Sequence, residues 1–352
     1  MLQQDIKTHI QEGTVIPAHP LALNADRQLD VERQRLLTRY YMASGAGGVA
    51  VGVHSTQFEI RDKEIGLFEP VLRLAMEEIN QAQLDRPFAA VAGIVGPTDQ
   101  AIKEAEIASG LGYDIGLLSM GGLKNYSQLE LIKRAEKVGE VLPIFGFYLQ
   151  PAVGGQLLSY EFWKDFAQIP SVHAIKMAPF NRYQTIDVVR AVCHSPRRDE
   201  IALYTGNDDN IIADLLTTYE FVVEGKKVRK EIIGGLLGHW AVWTSKAVEL
   251  LEEIKEIRKS NSGIPAEMLT RNIKVTDANA VLFDAANDFH GCIPGIHEVL
   301  RRQGLLEGTW CLNPKEEMST GQAEELDRIQ LNYPELNDDE FVRKFLAEQK
   351  VG

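Results

Sequence analysis

Cysteine is scarce in this chain. Cys193, Cys292 and Cys311 are the only three in 352 residues, far apart and in no C-x-x-C pair. That argues against a disulfide framework and against a zinc knuckle. Positive charge is also in deficit, with 37 Lys and Arg against 50 Asp and Glu, a formal net charge of -13. Nucleic acid and anionic membranes need a basic surface, so neither is an expected partner. No stretch approaches the roughly 18 consecutive apolar residues of a membrane span. The start, MLQQDIKTHIQEG, lacks the basic region and apolar core of a signal peptide. A cytoplasmic protein is the expectation.

What the chain does have is alternation. Short apolar runs bounded by Gly, Pro, Asn or Asp look like buried strands, and a longer amphipathic segment follows each. The first four strand candidates are GTVIPA (13–18), GGVAVGV (47–53), FAAVAGIV (88–95) and YDIGLLS (113–119). The later four are LPIFGFY (142–148), VHAIK (172–176), EIALYTG (200–206) and KEIIGGLLG (230–238). Helices fit between them, one capped by Asp30 and another opening at Pro97-Thr98-Asp99 and closing on glycine. Others fit 65–82, 126–139, 157–168, 183–193, 208–218 and 240–259.

Strands apolar on both faces and joined by helical crossovers mean a parallel sheet. Eight such units over residues 13–259 match a (β/α)8 TIM barrel. A doubly wound open sheet is the rival. It would usually place a Gly-rich phosphate loop after strand one, where this chain reads AHPLALN. Residues 1–260 are therefore read as the barrel, and 261–352 as a C-terminal helical extension with an acidic tail.

In such a barrel the site forms at the carboxyl ends of the strands. Those ends carry His19, His54-Ser55-Thr56, Ser119, Tyr148, Lys176, Thr205-Gly206-Asn207-Asp208 and His239. Lys176 closes an otherwise apolar strand, SVHAIKMAP. A lysine is almost never fully buried without a partner. Desolvation lowers its pKa and makes the neutral amine a nucleophile toward carbonyls. Tyr148 ends the neighbouring strand and is expected to face the same cavity, where a phenol would relay protons. The competing readings are a strand-end lysine with its head in water, a tyrosine that only packs, and an Asp208 that caps the next helix. A metal held by His19, His54, His239 and Asp208 is an alternative site, and a non-catalytic ligand-binding barrel another.

Several segments, in order, resemble one family. They are GTVIPAHPLALNADRQLD, GAGGVAVGVHSTQFEI, FYLQP, AIKMA, LYTGNDD and GLLEGTWCLNP. Together they are similar to the dihydrodipicolinate synthase / N-acetylneuraminate lyase family of class I, Schiff-base aldolases, from about residue 13 to about residue 314. FYLQP looks like that family's Tyr-x-x-Pro and AIKMA like its Ile-Lys. The resemblance thus implies Lys176 as the imine-forming lysine and Tyr148 as the catalytic tyrosine. It further implies substrate-binding positions at Val53, His54, Ser55 and Gly206, a small carbonyl substrate such as pyruvate, a homodimer or homotetramer, and neither metal nor organic cofactor.

The departures are informative. Val53-His54 stands where the family has Thr-Thr, so no hydroxyl relay runs through residue 53 and Ser55, Thr56 or His54 would have to replace it. Val153 stands where an arginine clamps the second substrate's carboxylate. Met120-Gly121-Gly122-Leu123 replaces a Pro-Tyr-Tyr segment. The implied enzyme is a lyase or aldolase other than a dihydrodipicolinate synthase.

Overall fold

Strands made of Val, Ile, Ala and Gly leave no polar face for water, so they must be covered on both sides. The computed structural model, which describes residues 1–260 and 262–349, shows how. Eight strands carry the barrel: β1 Val15–Pro17, β2 Gly48–Val51, β3 Ala89–Ile94, β4 Ile115–Ser119, β5 Ile144–Leu149, β6 Val172–Ala178, β7 Ala202–Thr205 and β8 Gly234–Leu237. From β2 to β8 each pairs in parallel with the next. β8 pairs with β1, and the ring closes through a parallel bridge between Ala18 and Ala50, with the His19 amide donating to Ala50 O at 2.8 Å. Closure rules out the open doubly wound sheet.

The helices that cover the outside start and stop where their sequences dictate. Helix α2 (Val31–Ala43) is capped by the Asp30 carboxylate, which accepts from the Arg33 amide at 3.0 Å. Helix α4 (Thr98–Leu111) ends on Gly112 at φ +94°, a left-handed conformation that glycine adopts without a steric penalty. Helix α5 (Gln128–Gly139) opens with a reciprocal Ser127–Glu130 capping box.

Two elements lie outside the expected pattern. Residues Gln4–Glu12 form an additional N-terminal helix whose Ile6 and Ile10 are buried with the barrel-interior residues Ile16, Ile115, Phe145 and Tyr204. The segment before the last strand is a β-hairpin, Thr218–Val223 with Lys226–Glu231. It takes the first part of the expected eighth strand, so that β8 itself begins only at Gly234.

The acidic tail is docked. Beyond the last barrel helix (Thr244–Ser260), helices Glu267–Leu282, Cys292–Arg302, Gln322–Asn332 and Asp339–Gln349 pack back onto the barrel. Val342 and Phe345 are buried, and the Tyr40 hydroxyl of α2 donates to Asp338 at 2.7 Å. The Arg328 guanidinium holds Asp277 through two nitrogens, at 2.7 and 3.1 Å. Many of the tail's charges therefore tie helix to helix.

Candidate active site

Side chains alternate across a strand, so Ala174, Lys176 and Ala178 of β6 point inward while Ile175 and Met177 point at the helices. Lys176 stands at the carboxyl end of the barrel, in the wall of a cavity lined mostly by apolar side chains. It is 8% exposed. Its Nζ lies 4.3 Å from the centre of the Phe147 ring, and among the described residues it has no salt-bridge partner. Burial lowers its pKa from the ordinary 10.5 to about 8, with the negative charge of Asp208 opposing. About a tenth of Lys176 is then neutral amine at pH 7.

Gly206 makes room for this lysine. A Cβ there would come within 2.5 Å of Lys176 Cε and 2.9 Å of Ala178 Cβ. The turn after Gly206 is braced from behind. The fully buried Asp214 carboxylate accepts from the Thr205 hydroxyl at 2.7 Å and from Asn207 Nδ2 at 2.9 Å, and pairs with Arg182. This bracing presents Asp208 to the cavity. Burial raises the Asp208 carboxyl to about 7, and Lys176 pulls the other way. Sequence reasoning had made Asp208 a helix cap. The cap position of the next helix, Ile211–Leu216, is instead Asn210.

Three more predicted positions line the same cavity. Val53 is buried in its wall, and its amide donates to Thr56 Oγ1 at 3.2 Å. Thr56 in turn donates to His19 O at 2.7 Å, so its hydroxyl is committed. Ser55 lines the cavity while donating to Ala18 O at 2.9 Å. The His54 ring lies on the cavity and against Phe58. Burial, with Lys176 nearby, lowers its pKa to about 4, so it is a neutral imidazole at pH 7. His54 and Ser55 open a single 3-10 turn, whose first amides have no partner within the turn. Val153, at the place expected for an arginine, is also in the wall, and among the described residues no arginine lines the cavity.

Tyr148 is not brought to this cavity. It lies in the layer between barrel and helices, its ring 5.2 Å from Trp163 and its hydroxyl 3.3 Å from both the amide and the carbonyl of Leu158. Its face follows from the alternation along β5, where Phe145, Phe147 and Leu149 point inward, and one extra residue in β6 puts Lys176 on their side. Ile144 pairs with Val172, but Phe145 pairs with Ala174, so His173 is bulged. Without the bulge Tyr148 would pair with Lys176. With it Phe147 does, and Tyr148 pairs with the outward Met177. A one-residue slip changes which face a side chain takes. The expectation that Lys176 and Tyr148 share a cavity is thereby corrected.

Of the alternative metal site, His54 and Asp208 share the cavity, but His19 and His239 do not line it. His19 uses one ring nitrogen on Pro20 O (2.7 Å) and the other on Thr38 Oγ1 (2.9 Å). Among the described residues no three His, Cys, Asp or Glu side chains gather as metal ligands. Nor, among them, is any helix long and apolar enough to cross a membrane.

No family model matches the chain, and no curated protein matches it in sequence. Solved structures do share its architecture. Dihydrodipicolinate synthase from Oceanobacillus iheyensis superposes with a TM-score of 0.73 at 17% identity, covering 94% of this chain and 99% of that one. YagE, a prophage protein of the dihydrodipicolinic acid synthase family from E. coli K12 solved with pyruvate, gives 0.72 at 18% identity, over 92% and 98%. N-acetylneuraminate lyase from Fusobacterium nucleatum gives 0.69 at 15% identity, over 92% and 99%. Over most of its length, the chain therefore has the (β/α)8 barrel, with C-terminal helices, of the dihydrodipicolinate synthase and N-acetylneuraminate lyase structures.

Proposed function

We propose that this protein is a lyase or aldolase of the dihydrodipicolinate synthase type that works through a Schiff base on Lys176. The observation that carries the reading is a desolvated lysine without an ion-pair partner at the carboxyl end of the barrel, facing a cavity. An unpaired buried cation is costly, and a fold retains one where the neutral amine is useful.

The neutral Lys176 amine attacks the substrate carbonyl carbon, and the carbinolamine loses water to give the imine. Asp208, protonated below about pH 7, supplies the proton that lets the hydroxyl leave as water. Its carboxylate then takes the proton released as a carbon–carbon bond next to the imine breaks, or returns it as one forms. His54, neutral and on the same wall, is a second acceptor within the cavity. Tyr148 has no part in these transfers.

A 2-keto acid is the first substrate to test. YagE was solved with pyruvate, and the His54 and Ser55 amides are suited to a carboxylate in the absence of an arginine. The test is borohydride trapping with pyruvate, read by intact mass on wild type and Lys176→Ala. A pyruvate-sized adduct on wild type alone is the expected result. Equal labelling of both proteins, or of neither by any 2-keto acid, overturns the reading.

A further inference from the structure

The cavity that holds Lys176 has an apolar upper wall, and two of its residues are held in conformations that side chains rarely take. Phe180, on the loop after β6, has φ +50°, and Phe289, in the segment between the helices Glu267–Leu282 and Cys292–Arg302, has φ +65°. Left-handed backbone is uncommon for any residue but glycine and unusual for a bulky one. Such outliers persist only where their surroundings enforce them, often at ligand clamps.

Both are enforced here. The Phe180 amide donates to Asn207 Oδ1 at 3.1 Å, tying it to the same braced turn that presents Asp208. Phe289 sits in a turn organised by Asp284. That carboxylate accepts from Asn287 Nδ2 at 2.6 Å, the Gly291 amide at 2.9 Å and the Ser319 hydroxyl at 2.5 Å. Asp284 and Asp288 are themselves left-handed, at φ +57° and +52°. The two rings meet edge to face with centroids 6.0 Å apart, one from the barrel and one from the C-terminal extension.

Below them Phe147, Leu149, Val153 and Phe283 continue the apolar surface. Beyond the groups around Lys176, Gln150 is the polar side chain of this lining, so a polyol or a second carboxylate on the substrate would find few hydrogen-bond donors there. An aryl group would find edges and faces at the distances aromatic pairs favour.

We infer that the substrate is a carbonyl compound bearing an aryl or comparably flat apolar group, which Phe180 and Phe289 hold above Lys176. This rests on the Schiff-base reading for the reacting end of the molecule, and adds the chemistry of the other end.

The experiment measures half-saturation of borohydride trapping for three 2-keto acids: pyruvate, 4-phenyl-2-oxobutanoate and the polyhydroxylated 2-keto-3-deoxygluconate. The proteins are wild type, Phe180→Ala, Phe289→Ala and Phe289→Leu, with melting curves to establish folding. On wild type the phenyl compound should half-saturate at a concentration about tenfold or more below the polyol. Each alanine variant should raise its value about fivefold or more while leaving pyruvate within about twofold. Phe289→Leu, which keeps bulk but no ring, should fall between.

A preference for the polyol, or folded alanine variants that leave the phenyl compound unchanged, overturns the aryl assignment and leaves the Schiff base standing. If nothing traps, the Schiff-base reading falls instead. Calorimetry with 4-phenylbutanoate, which has no ketone, then decides the aryl site. Binding weakened about tenfold in Phe289→Ala supports it, and no binding to wild type overturns it.

Discussion

The two ends of the barrel treat their polar groups in opposite ways. At the amino end the N-terminal helix fills the opening with Ile6 and Ile10, and Tyr204 and His9 beside it find backbone partners, although His173 Nδ1 is buried without one among the described residues. The Tyr204 hydroxyl donates to Ile10 O at 2.8 Å, and His9 Nε2 meets Gly47 O at 2.7 Å. At the carboxyl end Lys176 has no ion pair among the described residues, Asp208 is held protonated to higher pH than usual, and His54 is kept neutral. A buried polar group that is paired contributes modestly to stability, and one left unpaired costs more than that. The amino end is thus built for stability, and the carboxyl end holds its groups in states that can react.

The contrast breaks most sharply at Asp208. Asp208→Asn removes both a proton carrier and the anion that holds the Lys176 pKa up. Turnover should fall about 100-fold or more, while the imine still forms. The rising limb of imine formation should also move to lower pH, below the wild-type midpoint of about 8. In wild type the reactive pair is neutral Lys176 with protonated Asp208. Activity should therefore peak between about 7 and 8, falling below as Lys176 protonates and above as Asp208 ionises. A pH profile of trapping and of turnover on both proteins checks this. An Asp208→Asn limb that moved to higher pH would contradict the assignment.

Ile10→Ala should affect the opposite property. It opens a cavity beneath the barrel and should cost about 2–5 kcal/mol in a denaturant titration, with trapping at Lys176 retained under native conditions. Tyr148→Phe should have the smallest effect, about 1 kcal/mol from the lost contacts to Leu158, with imine formation and turnover close to wild type. A Tyr148→Phe protein that formed imine but lost turnover would place the phenol in the proton relay after all.

What could be read in the sequence follows the same division. The eight apolar strands and their crossover helices were legible because burial on both faces leaves an unmistakable pattern. Lys176 stood out for the complementary reason, a charge at the end of such a run. Tyr148 and Lys176 take different faces because a bulge at His173 resets the alternation along β6, and no local pattern in the letters marks that bulge. Phe145, Phe147, Tyr148 and Leu149 are all large and apolar enough for either face. Acidic residues after a strand commonly cap the next helix, and only the cavity lining and the Asp214 network distinguish Asp208 from one of those. The hairpin at 218–231 was missed because its second half runs directly into the residues of β8. The N-terminal helix was missed because its two isoleucines are matched by the barrel floor rather than by a stripe of their own.

The bulge at His173 has a consequence for how such a site changes over generations. A single codon deleted at the bulge would move Lys176 from the face of Phe147 to that of Tyr148, without altering any of the three. Point substitutions would need two coordinated changes to achieve the same exchange. The identity of the lysine's neighbour on β5 is thus inherited through the length of a strand as much as through its letters. Two chains with the same Tyr-x-x-Pro and Ile-Lys motifs can on that account house different proton-transfer chemistry.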